Sequence, residues 1–153
     1  MQRKRSVSRT NRRDASRLRV GIVVSPYYEA IAKKLLRGAL AELGEWRVEK
    51  KNIFVMQVSG SFEIPYGCVS LMKQHRPDAI VTLGCVVKGE TNHDQIIAQA
   101  VAQGLVDLTI KYEIPITLGV LTVNTLEQAI ARSTPGNNKG REATAAALEA
   151  ALL

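Results

Sequence analysis

Short apolar runs alternate with helical patterns along most of the chain, and this alternation limits the possible folds more than any other feature. The runs are rich in β-branched residues and lie at residues 18–24, 46–55, 79–83 and 116–120. Almost continuous apolar character is typical of strands that are buried on both faces of a parallel sheet. Between the runs, apolar residues recur at the spacing of amphipathic helices. The alternation therefore predicts right-handed βαβ units.

The predicted fold class is α/β, namely a three-layer α-β-α sandwich with a four-stranded parallel sheet of the flavodoxin-like type. About five helices are expected, near residues 31–43, 66–74, 91–112, 125–132 and 140–153. Thr125 and Gln128 have the spacing of a capping box at the start of the fourth helix. The run at 46–55 is the most polar of the four, so we expect its strand nearer an edge of the sheet.

The composition indicates one compact domain, because 46% of the 153 residues are apolar. The sequence contains no run of 18 apolar residues, so we expect no membrane-spanning segment. Cys68 and Cys85 are too few for a disulfide framework. A reducing compartment is the simpler interpretation, and we expect the protein to be cytoplasmic.

Positive charge is concentrated near the amino terminus. Residues 1–19 carry eight of the 21 basic residues and one of the 14 acidic residues, so the rest of the chain is formally neutral. We expect residues 1–17 to form a basic, disordered tail and residues 18–153 to form the domain, since the tail shows no apolar periodicity. A solvated leader, a weak anchor for nucleic acid and a short transit peptide are all compatible with this tail.

Residues 83–93 (LGCVVKGETNH) hold the strongest functional signal. They join a predicted strand to a predicted helix, so we expect a loop over 84–92 at the carboxyl edge of the sheet, where α/β folds bind ligands. Unpaired N–H groups at a helix start suit an anion, and His93 would lie beside it. An imidazole, with an unperturbed pKa of about 6.5, suits proton transfer near neutral pH. The alternative is that Thr91 or Asn92 merely caps the helix.

Polar and aromatic residues also follow the other predicted strands: Tyr27, residues 61–63 and Asn124. Because the carboxyl ends of parallel strands meet at one edge, we expect these residues to share a site with the central loop. Arg132 and Lys139 flank a turn-rich segment at 133–139. They join that site only if the fold brings this segment to it.

Five ordered segments resemble one known family. They are SGSFEIP (59–65), LGCVVKGETNH (83–93), IPITLGVLT (114–122), LEQAIAR (126–132) and NKG (138–140). Their order and spacing are similar to those of the 6,7-dimethyl-8-ribityllumazine synthase family, and the resemblance covers essentially residues 18–153. It implies an enzyme of riboflavin biosynthesis that condenses 5-amino-6-(D-ribitylamino)uracil with 3,4-dihydroxy-2-butanone 4-phosphate. The reaction releases phosphate and water, and it uses no metal and no organic cofactor.

The resemblance also implies roles for the residues at matching positions. His93 would transfer protons. The phosphate of the butanone would be bound by Glu90, Thr91, Arg132 and Lys139. The pyrimidine and its ribityl chain would be bound by Tyr27, Ser61, Phe62, Glu63, Cys85, Val86, Val87 and Leu118. Homopentamers are implied as well, in some members twelve to a 60-subunit shell, with the active site between adjacent subunits. The short segment at 133–139 is compatible with a shell.

The sequence departs from the family pattern in three places. Leu118 stands where the family usually has an aromatic residue that reaches the neighbouring subunit's pocket, and leucine offers apolar contact without aromatic stacking. Asp94-Gln95 replaces an aromatic residue followed by an acid. Tyr27-Tyr28 replaces Phe-Asn, and Tyr27 is still expected to stack on a ring.

Two further classes of function stay open from the residues alone. One is a non-catalytic cage or lumazine-binding protein on the same fold. The other is acyl transfer by a thiol–imidazole pair of Cys85 and His93. Following lumazine absorbance after mixing both substrates would separate an enzyme from a binding protein, and insensitivity to iodoacetamide would exclude the thiol mechanism.

Overall fold

The structure, a computed structural model, describes residues 14–153. Its strands are β1 (Val20–Val24), β2 (Ile53–Gln57), β3 (Ala79–Val87), β4 (Ile116–Val123), β5 (Ser133–Thr134) and β6 (Asn137–Asn138). Its α-helices are α1 (Glu29–Glu45), α2 (Ile64–His75), α3 (His93–Tyr112), α4 (Leu126–Ala131) and α5 (Lys139–Ala151). Two short 3₁₀ turns, Lys50–Asn52 and Ser61–Glu63, precede β2 and α2.

The first four strands form one parallel sheet in the order β2-β1-β3-β4. Side chains alternate across it, so that Ile22 packs with helices α1 and α5 on one face, whereas Val23 packs with α2 and α3 on the other. These two apolar layers make the three-layer sandwich. The strand order is that of a flavodoxin-like sheet, so the predicted fold class is confirmed.

The predicted strand at 46–55 is wrong over most of its length. Trp46 forms the carboxyl-terminal cap of α1 and is buried, with its indole Nε1 donating a hydrogen bond of 2.9 Å to Glu42 Oε1. Val48 is buried as well, just after the turn that ends α1, so apolar residues here fill the core without being part of a strand. The strand β2 begins only at Ile53, and its predicted place at an edge of the sheet is confirmed.

Strands β3 and β4 are longer than predicted. Their pairing runs from Ile80 opposite Ile116 to Val87 opposite Val123. Residues 84–87, expected in a loop, therefore continue the central strand, because the ladder with β4 supplies partners for their backbone groups. In the later segment, β5 and β6 form a small antiparallel hairpin where a loop was expected. The predicted cap is confirmed, since Thr125 Oγ1 accepts a hydrogen bond from the Gln128 N–H at 3.3 Å.

Arg19 fixes the chain where it enters the sheet. Its backbone N–H donates to Asp78 Oδ2 at 2.8 Å, and its guanidinium donates to the carbonyl oxygen of His75 at 2.6 Å. The same guanidinium lies 4.7 Å from the centre of the Phe54 ring, which stacks on the His75 ring. These contacts lie at the amino-terminal edge of the sheet, before β1 and β3.

The prediction for the basic tail concerns mainly residues 1–13, which lie outside the described residues. Ala15, just after them, is fully buried in the core layer of α1 and α5, and its carbonyl oxygen accepts a hydrogen bond from the Leu18 N–H at 3.0 Å. In the described part of the chain, no helix is both long enough and apolar enough to cross a membrane.

Candidate functional site

An open groove of about 720 Å³ lies at the carboxyl edge of the sheet. Four segments line it: the loop after β1, the 3₁₀ turn before α2, the end of β3, and the start of α3. The lining residues are Tyr27, Tyr28, Gly60, Ser61, Phe62, Glu63, Cys85, Val86, Val87, Gly89, Thr91, His93, Asp94, Ile96 and Ile97.

The groove exists because β3 extends beyond β1. The pairing of β1 with β3 ends at Val24 opposite Leu83, and the Ser25 N–H still donates to the Leu83 carbonyl oxygen at 2.9 Å. Beyond that point, β4 is the one neighbour of β3 among the described strands. Backbone groups of alternate residues point the same way, so those of Cys85 and Val87 face the side that β1 has left. They offer donors and acceptors at the groove floor.

Two aromatic rings stand at the wall of the groove. Tyr27 is 75% exposed and Phe62 is 62% exposed, which is unusual for large apolar rings. The Tyr28 ring packs against the core and meets the Tyr27 ring edge to face, with centroids 5.2 Å apart. Tyr28 therefore holds Tyr27 beside the strand end, where a flat ligand ring can stack on it.

The start of α3 forms the other side. His93 is exposed in the first turn, and its backbone N–H donates to Thr91 Oγ1 at 3.3 Å. Thr91 thus acts partly as a cap and also lines the groove, whereas the Asn92 side chain makes no cap hydrogen bond within the described residues. Asp94 is buried, and its Oδ1 has no hydrogen-bond partner among residues 14–153. The helix dipole favours an anion at this end.

Most of the candidate residues of the sequence come together here. Nine of them line the groove: Tyr27, Ser61, Phe62, Glu63, Cys85, Val86, Val87, Thr91 and His93. Glu90, between two lining residues, is exposed and outside the lining. Sequence reasoning did not assign Gly60, Gly89, Ile96 and Ile97, although an apolar pair in the first turns of a helix that starts at a site is a usable signal.

Three candidates lie away from the groove. Leu118 is 43% exposed on β4. Arg132 follows α4, where its Nη1 donates to the Gln128 carbonyl oxygen at 3.0 Å. Lys139 begins α5, where its Nζ lies 3.4 Å from Glu142 Oε1. In the described part of the chain, no Arg or Lys side chain lines the groove.

Neither cysteine has the environment of a reactive thiol. Burial raises the pKa of Cys85 to about 11 and that of Cys68 to about 12. A nucleophilic cysteine needs the opposite shift, because the thiolate is the reactive form. Within residues 14–153, no three His, Cys, Asp or Glu side chains are grouped so that they could hold a metal ion.

The arrangement can therefore hold a flat polar ring against strand backbone and an anion near a helix start, with an imidazole beside it. The sequence model of the 6,7-dimethyl-8-ribityllumazine synthase family matches residues 17–153. That range contains the whole parallel sheet and every residue that lines the groove. The chain belongs to the 6,7-dimethyl-8-ribityllumazine synthase family, the transferases that make lumazine in riboflavin biosynthesis.

Proposed function

We propose that the protein condenses 5-amino-6-(D-ribitylamino)uracil with 3,4-dihydroxy-2-butanone 4-phosphate to 6,7-dimethyl-8-ribityllumazine, releasing phosphate and water. The observation that carries this proposal is the groove itself. It combines exposed aromatic rings, free strand backbone groups and a helix start with His93 in one place. These are the features that a planar pyrimidine and a phosphate ester need.

In this proposal, the pyrimidine lies against the end of β3. The backbone groups of Cys85 and Val87 match the ring's alternating donors and acceptors, whereas Val86, which also lines the groove, packs into the core layer of α2 and α3. Tyr27 stacks on the ring, supported by Tyr28. The ribityl chain extends towards the 3₁₀ turn Ser61–Glu63, where the Glu63 carboxylate accepts hydrogen bonds from its hydroxyl groups and Ser61 and Phe62 line the path.

The phosphate of the second substrate lies at the start of α3, against backbone groups of Glu90 and Thr91. The guanidinium of Arg132 pairs with it, and the ammonium of Lys139 adds a second positive charge. Since both side chains lie away from the groove of their own chain, we propose that an adjacent copy supplies them together with Leu118.

His93 carries out the proton transfers. A proton leaves the 5-amino nitrogen as the imine forms, and a proton assists the departure of water and phosphate. An exposed imidazole at the start of α3 is beside the proposed phosphate position, so one side chain can serve both steps. Holding the two substrates side by side supplies much of the remaining rate enhancement.

The family is known to form oligomers. We propose a homopentamer, with a 60-subunit shell as the larger assembly, and a cytoplasmic location for a protein whose two cysteines are free and buried. Exposed apolar residues support an interface, since Ile96, Val106 and Ile110 lie on one side of α3. The hairpin turn between β5 and β6 contains just two residues, which leaves room for neighbouring pentamers.

The function is tested by mixing purified protein with both substrates and following lumazine absorbance, with either substrate alone as the control. We expect product only with both substrates. Binding of the pyrimidine without turnover would make the protein a binding or cage-forming member of the family. Sedimentation and electron microscopy measure the assembly: a stable, active monomer would contradict an active site that needs an adjacent copy.

A further inference from the structure

The hairpin of β5 and β6 holds Arg132 and Lys139 close to each other. Arg132 immediately precedes β5 and Lys139 immediately follows β6. The Lys139 backbone N–H donates to the Arg132 carbonyl oxygen at 2.9 Å, which closes the hairpin at its open end. The two cationic side chains therefore leave neighbouring points of the backbone.

A two-residue ladder cannot by itself fix its position on the fold. The Asn138 side chain connects the hairpin to two helices. Its Nδ2 donates to the Lys34 carbonyl oxygen on α1 at 3.0 Å and to the Ser133 carbonyl oxygen at 3.3 Å. Its Oδ1 accepts a hydrogen bond from the Arg141 N–H at 3.1 Å, which caps the start of α5. One amide thus ties hairpin, α1 and α5 together.

Two glycines make room for this contact. A Cβ atom added to Gly38 on α1 would overlap the side-chain amide of Asn138. A Cβ added to Gly140 would overlap the backbone carbonyl of Leu35. Helices α1 and α5 can therefore approach closely at this point, and Asn138 reaches the α1 backbone because Gly38 has no side chain.

We propose that Asn138, seated on Gly38, is a positioning residue for phosphate binding by Arg132 and Lys139, which rests on the proposed function of those two residues. The amide fixes the hairpin against α1 and thereby fixes where both cationic side chains begin. Loss of this anchor displaces the positive charges without removing them. Small displacements of binding groups are costly in sites of this kind.

Asn138→Ser is the first test variant, because a hydroxyl can still cap α5 but is too short to reach the Lys34 carbonyl oxygen. We expect the KM for the butanone phosphate to rise about 10-fold, in line with the cost of misplaced positioning groups. The Kd for a pyrimidine analogue should stay unchanged. A fall in kcat alone, or equal losses for both ligands, would overturn the proposal.

Gly38→Ala is the second variant, and it disrupts the contact between Asn138 and α1 from the side of the helix. The expected KM effect matches that of Asn138→Ser, and the double variant should show little more than either single change, because both disrupt one contact. Additive effects would show two independent causes. Gly44→Ala is the matched control on the same helix, since, apart from its chain neighbours and the nearby backbone of α1, no described atom lies within 4 Å of an added Cβ there.

Amide hydrogen exchange gives a readout that does not depend on turnover. Both test variants should speed exchange of the Lys139 N–H, and both should weaken binding of inorganic phosphate, while Gly44→Ala changes neither. Unchanged exchange and unchanged phosphate affinity would overturn the positioning role. If the wild-type protein forms no lumazine, the proposed reaction fails, and these two measurements still decide whether Asn138 positions an anion site.

Discussion

Arg141 and Glu42, which lie 99 positions apart in the sequence, form an ion pair of 2.8 Å that joins α5 to α1. Glu42 is buried, and its other carboxylate oxygen accepts the hydrogen bond from Trp46. Partial burial lowers the pKa of Arg141, but hydrogen bonds to Glu45 and Glu42 outweigh this effect and raise the pKa overall. The guanidinium thus stays charged beside a carboxylate that has little access to water.

Replacing Arg141 by Ala should lower the free energy of unfolding by about 1–3 kcal/mol, the usual cost of removing one partner from a buried polar group. Denaturant unfolding followed by Trp46 fluorescence measures this. Lys51→Ala is the control, because Lys51 pairs with Glu49 in an exposed ion pair, and such pairs contribute little. Equal losses for both variants would show that the burial of Glu42 has no energetic consequence.

His93→Ala should lower kcat by about 10-fold to 100-fold without abolishing turnover, at the lower end of the range for general acid–base catalysis. The Kd of a pyrimidine analogue should change little, because its proposed contacts come from Tyr27, Glu63 and strand backbone. Steady-state kinetics over a pH series provides the measurement. A wild-type rate with an intact pH profile would place the proton transfer elsewhere, and Asp94→Asn would then be the next variant.

Arg132→Ala should weaken binding of the butanone phosphate by about 2–4 kcal/mol, since a charge-assisted contact to a phosphate is lost. Arg132→Lys should recover part of that affinity, because a point charge replaces a bidentate fork. Calorimetric titration of each substrate gives both values. An equal loss of pyrimidine affinity would contradict the assignment of Arg132 to the phosphate.

Cys85 should react slowly with iodoacetamide at pH 8, because burial raises the pKa of its thiol to about 11 from an ordinary value of 9.0. Only about one thiol in a thousand is then ionised, and the rate should rise about tenfold per pH unit until the pH approaches 10 and then level off. The folded state favours the neutral Cys85 thiol, whereas the thiol of the unfolded chain ionises near pH 9. The stability that this difference contributes is therefore present below pH 9 and is lost as the pH rises from about 9 to 11. Rapid alkylation with loss of turnover would instead support the thiol mechanism.

Deleting residues 1–13 should leave turnover unchanged. The deletion stops there because Ala15 is fully buried in the core. Association with nucleic acid should weaken and lose its dependence on salt, since most of the net positive charge is removed. Activity assays and binding at two salt concentrations provide the test, and a large loss of activity would show that the basic segment contributes to the assembly.

The fold could be predicted because the apolar runs of the sequence correspond to the four strands that pair in the parallel sheet. Apolar runs marked four strands, and the meeting of their carboxyl ends at one edge placed Tyr27, Glu63 and His93 in one site. The extension of β3 through Val87 could not be predicted, because Gly84 resembles a loop residue and its pairing with Val120 depends on a distant segment. Trp46 was wrongly assigned to a strand, because a buried apolar residue is compatible with both a helix cap and a strand.

The positions of Arg132 and Lys139 show where reasoning from the sequence of one chain ends. Their residue types suit a phosphate, but no local pattern tells whether a side chain serves its own groove or that of a neighbour. The structure places both of them outside the groove of their own chain.

The contact between the Arg19 guanidinium and the Phe54 ring bears on where a fusion partner can be attached. This contact lies at the amino-terminal edge of the sheet, whereas Cys85 and Val87 line the groove at the carboxyl end of β3, roughly 20–25 Å away along the strand. A protein or peptide joined directly to Asp14 is therefore attached at the edge of the sheet opposite the groove. We therefore expect a label attached directly to Asp14, in place of residues 1–13, to leave the proposed turnover unchanged.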